Sequence, residues 1–189
     1  MSDGDRSSLQ PISDSGLRYF AFLAEFGYTK HLGSISATRE LIDLCRIGEG
    51  KYVLDVGCGV GATPCYLAKE HSCRVVGVDI TPKMVERARQ RAARERVAHL
   101  VEFRVADART LPFEDHLFDV VIGESVVAFL QDKQRAVDEC ARVTKPGGFV
   151  GLTEATLLKP TPSAEFMQYL SEAAGMVDAM LPQEEWAAF

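Results

Sequence analysis

Val53-Leu54-Asp55-Val56-Gly57-Cys58-Gly59-Val60-Gly61 is the stretch that decides the fold of this 189-residue chain. A short apolar run ends in an acid, and glycines then fall at every second position. Glycine reaches φ > 0 and lets a ligand come close to the backbone. A glycine turn that leaves a strand and opens a helix is a usual seat for a nucleotide-like ligand. The reading therefore predicts a strand over 52–56, a turn, and a helix over 62–71 with Cys65, Tyr66 and Ala68 inward.

An alternation extends outward from this stretch. Further strands are expected at 74–79, 99–106, 117–123 and 148–154. Between them, Thr81-Pro82 opens a helix as cap and first residue, with Met84, Val85, Ala88 and Ala92 on one face. Another helix is expected near 132–143, with Ala136, Cys140 and Val143 at helical spacing. Several strands are apolar almost throughout, as strands covered on both faces are. The fold class that follows is α/β, a doubly wound, mostly parallel sheet with helices on both faces. Before this core, Asp14 is expected to cap a helix carrying Leu17, Phe20, Leu23 and Ala24, and a second helix spans roughly 37–46. After it, 159–163 reads as a linker, and helical patterns resume at Phe166, Tyr169, Leu170 and Ala173, and from Pro182. Three units follow: an N-terminal tail and lid-like segment at 1–36, a core at 37–158, and a C-terminal helical segment at 159–189.

Composition excludes several classes. A net charge of -6 argues against a nucleic-acid partner, which needs a basic face. No apolar run is long enough to span a bilayer, and residues 1–10 lack the apolar stretch of a secretory signal. The five cysteines form no CxxC pair, so no zinc knuckle is expected and a reduced, cytoplasmic protein is the simple reading. No metal site is expected.

Gly57-Cys58-Gly59-Val60-Gly61-Ala62 satisfies G-x-G-x-x-A as well as G-x-G-x-G, so alone it names no cofactor. Asp55, Asp79 and Asp107 narrow the choice, since each falls at the carboxyl end of a successive strand, the edge where open α/β sheets bind ligands. Asp55 can face a cationic group or merely hold the loop. Asp79 lies 22 positions past Gly57, a distance suited to ribose hydroxyls, or it caps the helix after it. Asp107 suits an adenine amine or a turn. Cys58 and Cys65 read as packing residues rather than nucleophiles, and His71, His99 and His116 as surface or strand-end residues. His31 is a weak candidate for a catalytic or substrate role, and Phe20, Phe22 and Phe26 divide between packing and a substrate lid, with packing favoured.

With these residues in view, the chain resembles the class I S-adenosylmethionine-dependent methyltransferases, which have a Rossmann-like fold. The resemblance rests on Val53 to Gly61, Val78 to Met84, Ala106 to Ala108 with Leu111 to Phe113, Phe118 to Ile122, and Thr144 to Phe149. It covers roughly residues 40–155 and is nearest to the small-molecule enzymes related to ubiquinone and sterol methyltransferases. It implies S-adenosylmethionine as cofactor. Gly57, Gly59 and Gly61 would let the chain pass close to it, with Cys58 and Met84 in the same set. Asp55 would meet the methionine part, Asp79 the ribose with Ile80 against the adenine, and Asp107 the adenine amine beside Ala108. Glu124 and Ser125 would line the methionine end near the sulfonium.

The resemblance implies methyl transfer to a small-molecule acceptor. The alternatives are a non-catalytic cofactor-binding protein and, with less support, a nucleotide-cofactor oxidoreductase, in which Asp55 and Asp107 would have no role. The acceptor is expected between residues 15–36 and the stretch after Glu154, where Tyr19, Phe20, Phe26, Tyr28, Phe166 and Tyr169 supply aromatics. No catalytic base is assignable. The family's last two strands are expected to be missing, which leaves a sheet edge that a second copy of the chain could pair with.

Overall fold

The computed structural model describes residues 14–26, 33–157, 163–174 and 181–187. The expectations for His31, Tyr28 and most of the 159–163 linker lie outside them. Two helices precede the sheet, α1 (Asp14–Phe26) and α2 (Ser34–Leu44). The core runs β1 (Tyr52–Val56), α3 (Ala62–His71), β2 (Arg74–Asp79), α4 (Pro82–Arg94), β3 (Val101–Val105), β4 (Phe118–Glu124), a 3-10 turn (Val127–Phe129), α5 (Lys133–Val143) and β5 (Thr144–Thr153). Then come β6 (Thr156–Leu157), α6 (Ala164–Ala174), β7 (Leu181–Pro182) and α7 (Gln183–Trp186).

The five long strands form one parallel sheet in the order β3-β2-β1-β4-β5. The chain enters at the middle, winds out to β3, returns past β1 and winds the other way. The ends of β1 and β4, where the winding reverses, are the natural ligand crevice of such a sheet. Side chains alternate between its faces. Leu54, Val56, Val76 and Val78 pack with Ala136, Cys140 and Val143 of α5 on one face. Val53, Val75, Val120 and Ile122 pack with Leu41 and Ile42 of α2, Cys45 just after it, and Leu67 of α3 on the other. Phe118 and Val120 fall on opposite faces despite their two-residue spacing, because the β4–β5 register shifts between them.

The structure departs from the expected elements in three places. β5 begins at Thr144, since Thr144 already pairs with Phe118 before the irregular Pro-Gly-Gly stretch. Thr81 is the N-cap of α4 and Pro82 its first residue, as expected, but the Thr81 side chain makes no capping bond; its own N–H is held by Asp79 Oδ1 at 2.8 Å. β6 and β7 pair with each other in a separate two-stranded ribbon, so among the described residues β5 remains an edge of the main sheet.

Candidate active site

The glycine turn is fixed from β2. The N–H groups of Gly57 and Cys58 both donate to Val78 O, at 2.7 and 2.9 Å. Gly57, Gly59 and Gly61 all have positive φ, 72°, 53° and 75°. Such a backbone strains any residue with a Cβ. Their positions differ in kind, however. A Cβ on Gly61 would lie 2.8 Å from Phe103 Cζ and 2.9 Å from Ala88 Cβ, so this glycine lets α3, α4 and β3 pack together.

The turn forms one wall of a cavity of about 390 Å3 at the carboxyl ends of the strands. Asp55, Gly57, Cys58 and Gly59 line it from β1 and the turn. Asp79 at the end of β2, Ile80 just after it and Met84 of α4 line it, with Asp107 and Ala108 from beyond β3, Glu124 at the end of β4 and Ser125 just past it. Of the residues singled out in the sequence for the cofactor, only Gly61 stands outside this lining, behind the turn.

The acids are held in different ways. Asp79 Oδ2 accepts the Gly59 N–H at 2.9 Å and Oδ1 accepts the Thr81 N–H, so this side chain ties the turn to the start of α4. Burial still lifts its pKa above the ordinary carboxylate value, against these two amides. Asp107 takes the Arg109 guanidinium, with Nη2 at 3.1 Å from Oδ2, and also accepts the Arg109 N–H at 2.9 Å. Glu124 accepts from Thr38 Oγ1 at 2.8 Å and Thr63 Oγ1 at 2.7 Å. Asp55 is 3% exposed. Burial, with Glu124 and Asp79 adding repulsion, pushes its pKa well above the ordinary range. A buried carboxyl facing a cavity beside two others favours a cationic group in that space.

The cysteines are buried packing groups. Burial raises the Cys58 thiol pKa well above its ordinary value and Cys65 to about 11, which leaves neither a nucleophile. His116 presents Nδ1 to Thr144 O at 3.1 Å, a strand-end role.

The aromatic expectations separate. Tyr19 and Phe20 of α1 line the cavity with Leu23, and Phe20 meets Phe129 edge-on with ring centroids 4.9 Å apart. Phe22, Phe26, Phe166 and Tyr169 are exposed, and none of them lines the cavity. The sequence reading missed Glu154, which lines the cavity just past β5. Its Oε1 accepts the N–H groups of Val126 and Val127 at 3.0 and 2.7 Å, and its Oε2 that of Ala128 at 3.3 Å. The rule that found Asp55, Asp79 and Asp107, an acid at the carboxyl end of each strand, would have found it too.

The methyltransferase domain family matches residues 54–152 of the chain. Phosphoethanolamine N-methyltransferase of Triticum aestivum is 36% identical over 140 residues, covering 74% of this chain and 27% of that one. The chloroplastic tocopherol O-methyltransferase of Arabidopsis thaliana is 41% identical over 98 residues, covering 52% of this chain and 28% of that one. The chain therefore spans little more than a quarter of either relative. A SAM-dependent methyltransferase from Geobacter sulfurreducens, solved in complex with S-adenosyl-L-homocysteine, superimposes with a TM-score of 0.73 at 22% identity, covering 89% of this chain and 67% of that one. The chain belongs to the methyltransferase domain family and has the fold of the class I S-adenosylmethionine-dependent methyltransferases that its motifs resemble.

Proposed function

We propose that this chain binds S-adenosylmethionine in the cavity at the strand ends and transfers its methyl group to a small molecule. The observation that carries the reading is the convergence of the Gly57–Gly59 turn and of Asp55, Asp79, Asp107 and Glu124 on that one cavity, from four successive strands. Asp55 supplies the test of fit, since a carboxyl 3% exposed and crowded by two acids is relieved by a positively charged ligand group. On this reading the turn lies along the ligand's sugar and Asp79 accepts from the ribose hydroxyls. Ile80 and Met84 give the adenine an apolar bed, with Asp107 and Ala108 at its polar edge. Asp55, Glu124 and Ser125 hold the methionine end. The relatives named for phosphoethanolamine and tocopherol methylation support a small-molecule acceptor.

S-adenosylmethionine, when bound, would supply a methyl group on positively charged sulfur: an acceptor lone pair would bond to the methyl carbon in line, the sulfur would leave with the electron pair of the broken bond, and the acceptor's proton would pass to solvent. The protein's part is alignment and exclusion of water. Phe20, Leu23 and Phe129 provide the apolar cover. A screen of small amines and phenols with methyl-tritiated S-adenosylmethionine tests the activity. Label in an acceptor with matching S-adenosylhomocysteine is expected; no transfer to any acceptor by protein that binds the cofactor would leave a binding protein instead.

A further inference from the structure

The sheet order sets the acids in a line. Along β3-β2-β1-β4-β5 they run Asp107, Asp79, Asp55, Glu124, Glu154. On the cofactor reading above, on which this inference rests, the first four follow the ligand from adenine through ribose to the methionine end. Glu154 is the next acid in the line, at the end of the cavity opposite Asp107 and past the cofactor's reactive end.

Its surroundings suit a particular ligand. Glu154 Oε2 accepts one long amide bond among the described residues, so it retains acceptor capacity toward the cavity. Phe129 follows directly on the 126–128 turn that Glu154 holds, with Phe20 packed on its ring. Among the described residues that line the cavity there is no Lys, Arg or His. Lys133 is near enough to draw the Glu154 pKa down against burial, but it is not in the lining and gives its ammonium to Leu130 O at 2.9 Å. Arg109 is engaged with Asp107. A phosphate or carboxylate entering here would meet acids and, among the described residues of the lining, no protein cation to balance it, whereas an amine would meet a carboxylate acceptor and aromatic rings.

We propose that Glu154 is the acceptor-recognising residue and that the acceptor is an amine carried on an apolar or aromatic body, without an anionic group. Glu154 takes the amine N–H, and Tyr19, Phe20 and Phe129 receive the body.

Phenethylamine and 3-phenylpropionate are matched probes of opposite charge. Each is titrated by calorimetry at pH 8 into protein saturated with S-adenosylhomocysteine. The amine is expected to bind at least about tenfold more tightly than the acid. Glu154→Gln is expected to weaken the amine by about tenfold while S-adenosylhomocysteine affinity stays within about twofold. Because this variant can loosen the 126–128 turn, the wild-type comparison of the two probes stands without it. Equal or tighter binding of the acid, no binding of the amine, or unchanged amine affinity in a folded Glu154→Gln would overturn the proposal. Each of those results leaves the cofactor reading intact. Failure of S-adenosylhomocysteine itself to bind wild-type protein overturns that reading, and this one with it.

Discussion

The Thr38 hydroxyl donates to the Glu124 carboxylate across 2.8 Å, joining the helix before the sheet to the last residue of its fourth strand. Thr63 holds the other oxygen from the helix after the glycine turn. A buried carboxylate that loses a donor is destabilised by about 1–3 kcal/mol. Thr38→Val keeps the shape and removes the donor, so its unfolding midpoint in urea should fall accordingly. An unchanged midpoint would mean that this bond contributes nothing to joining α2 to the sheet.

Asp79 has two duties on our account, since it orders the Gly59 and Thr81 amides and meets the ribose. Asp79→Ala should weaken S-adenosylhomocysteine by about 2–3 kcal/mol, the scale of hydrogen bonds to a charged group, or roughly 30- to 150-fold in Kd. Unchanged affinity, with the circular dichroism spectrum intact, removes Asp79 from the site.

Gly59 has φ 53° and lines the cavity, whereas Gly48 has ordinary φ with nothing within 4 Å of an added Cβ. Gly59→Val should abolish cofactor binding, and Gly48→Ala should keep both affinity and fold. Normal affinity in Gly59→Val would place the ligand elsewhere.

Burial raises the Glu154 pKa to about 7, outweighing the three amides it accepts and the attraction of Lys133. Between the ordinary value of 4.5 and about 7 the folded protein holds this proton more tightly than the unfolded chain. Stability from this group is therefore lost as pH rises through that window, at a limiting slope of about 1.4 kcal/mol per pH unit. Glu154→Gln removes the titration. Thermal melts at pH 5 and pH 8 should show the variant gaining on the wild type at the higher pH. A difference that stays constant between the two pH values contradicts the burial of this carboxylate. Glu102, Asp119 and Glu139, whose pKa values are lowered by their partners, titrate below the window and are common to both proteins.

The core was legible because its signals are local. The apolar run of Val53 to Val56, the glycines after it and the acids ending the strands each fix backbone or burial within a few residues. Gly61 was grouped with Gly57 and Gly59 because G-x-G-x-G cannot show which glycine lines the cavity and which packs against Phe103. Glu154 ends the expected fifth strand, so its place in the row of acids was legible, whereas its hold on the 126–128 turn was not, because the amides it accepts lie 26 to 28 positions earlier in the chain. The aromatics of α1 were ambiguous for a related reason. Helical spacing cannot tell Phe20, which reaches Phe129, from Phe22 and Phe26, which face solvent, until the helix is docked.

Titration of S-adenosylhomocysteine and of NAD into the purified protein, followed by isothermal calorimetry, tests the central claim most directly. The account predicts saturable binding of S-adenosylhomocysteine at one site per chain and no comparable heat with NAD. A folded protein that binds NAD in preference, or binds neither, would contradict it.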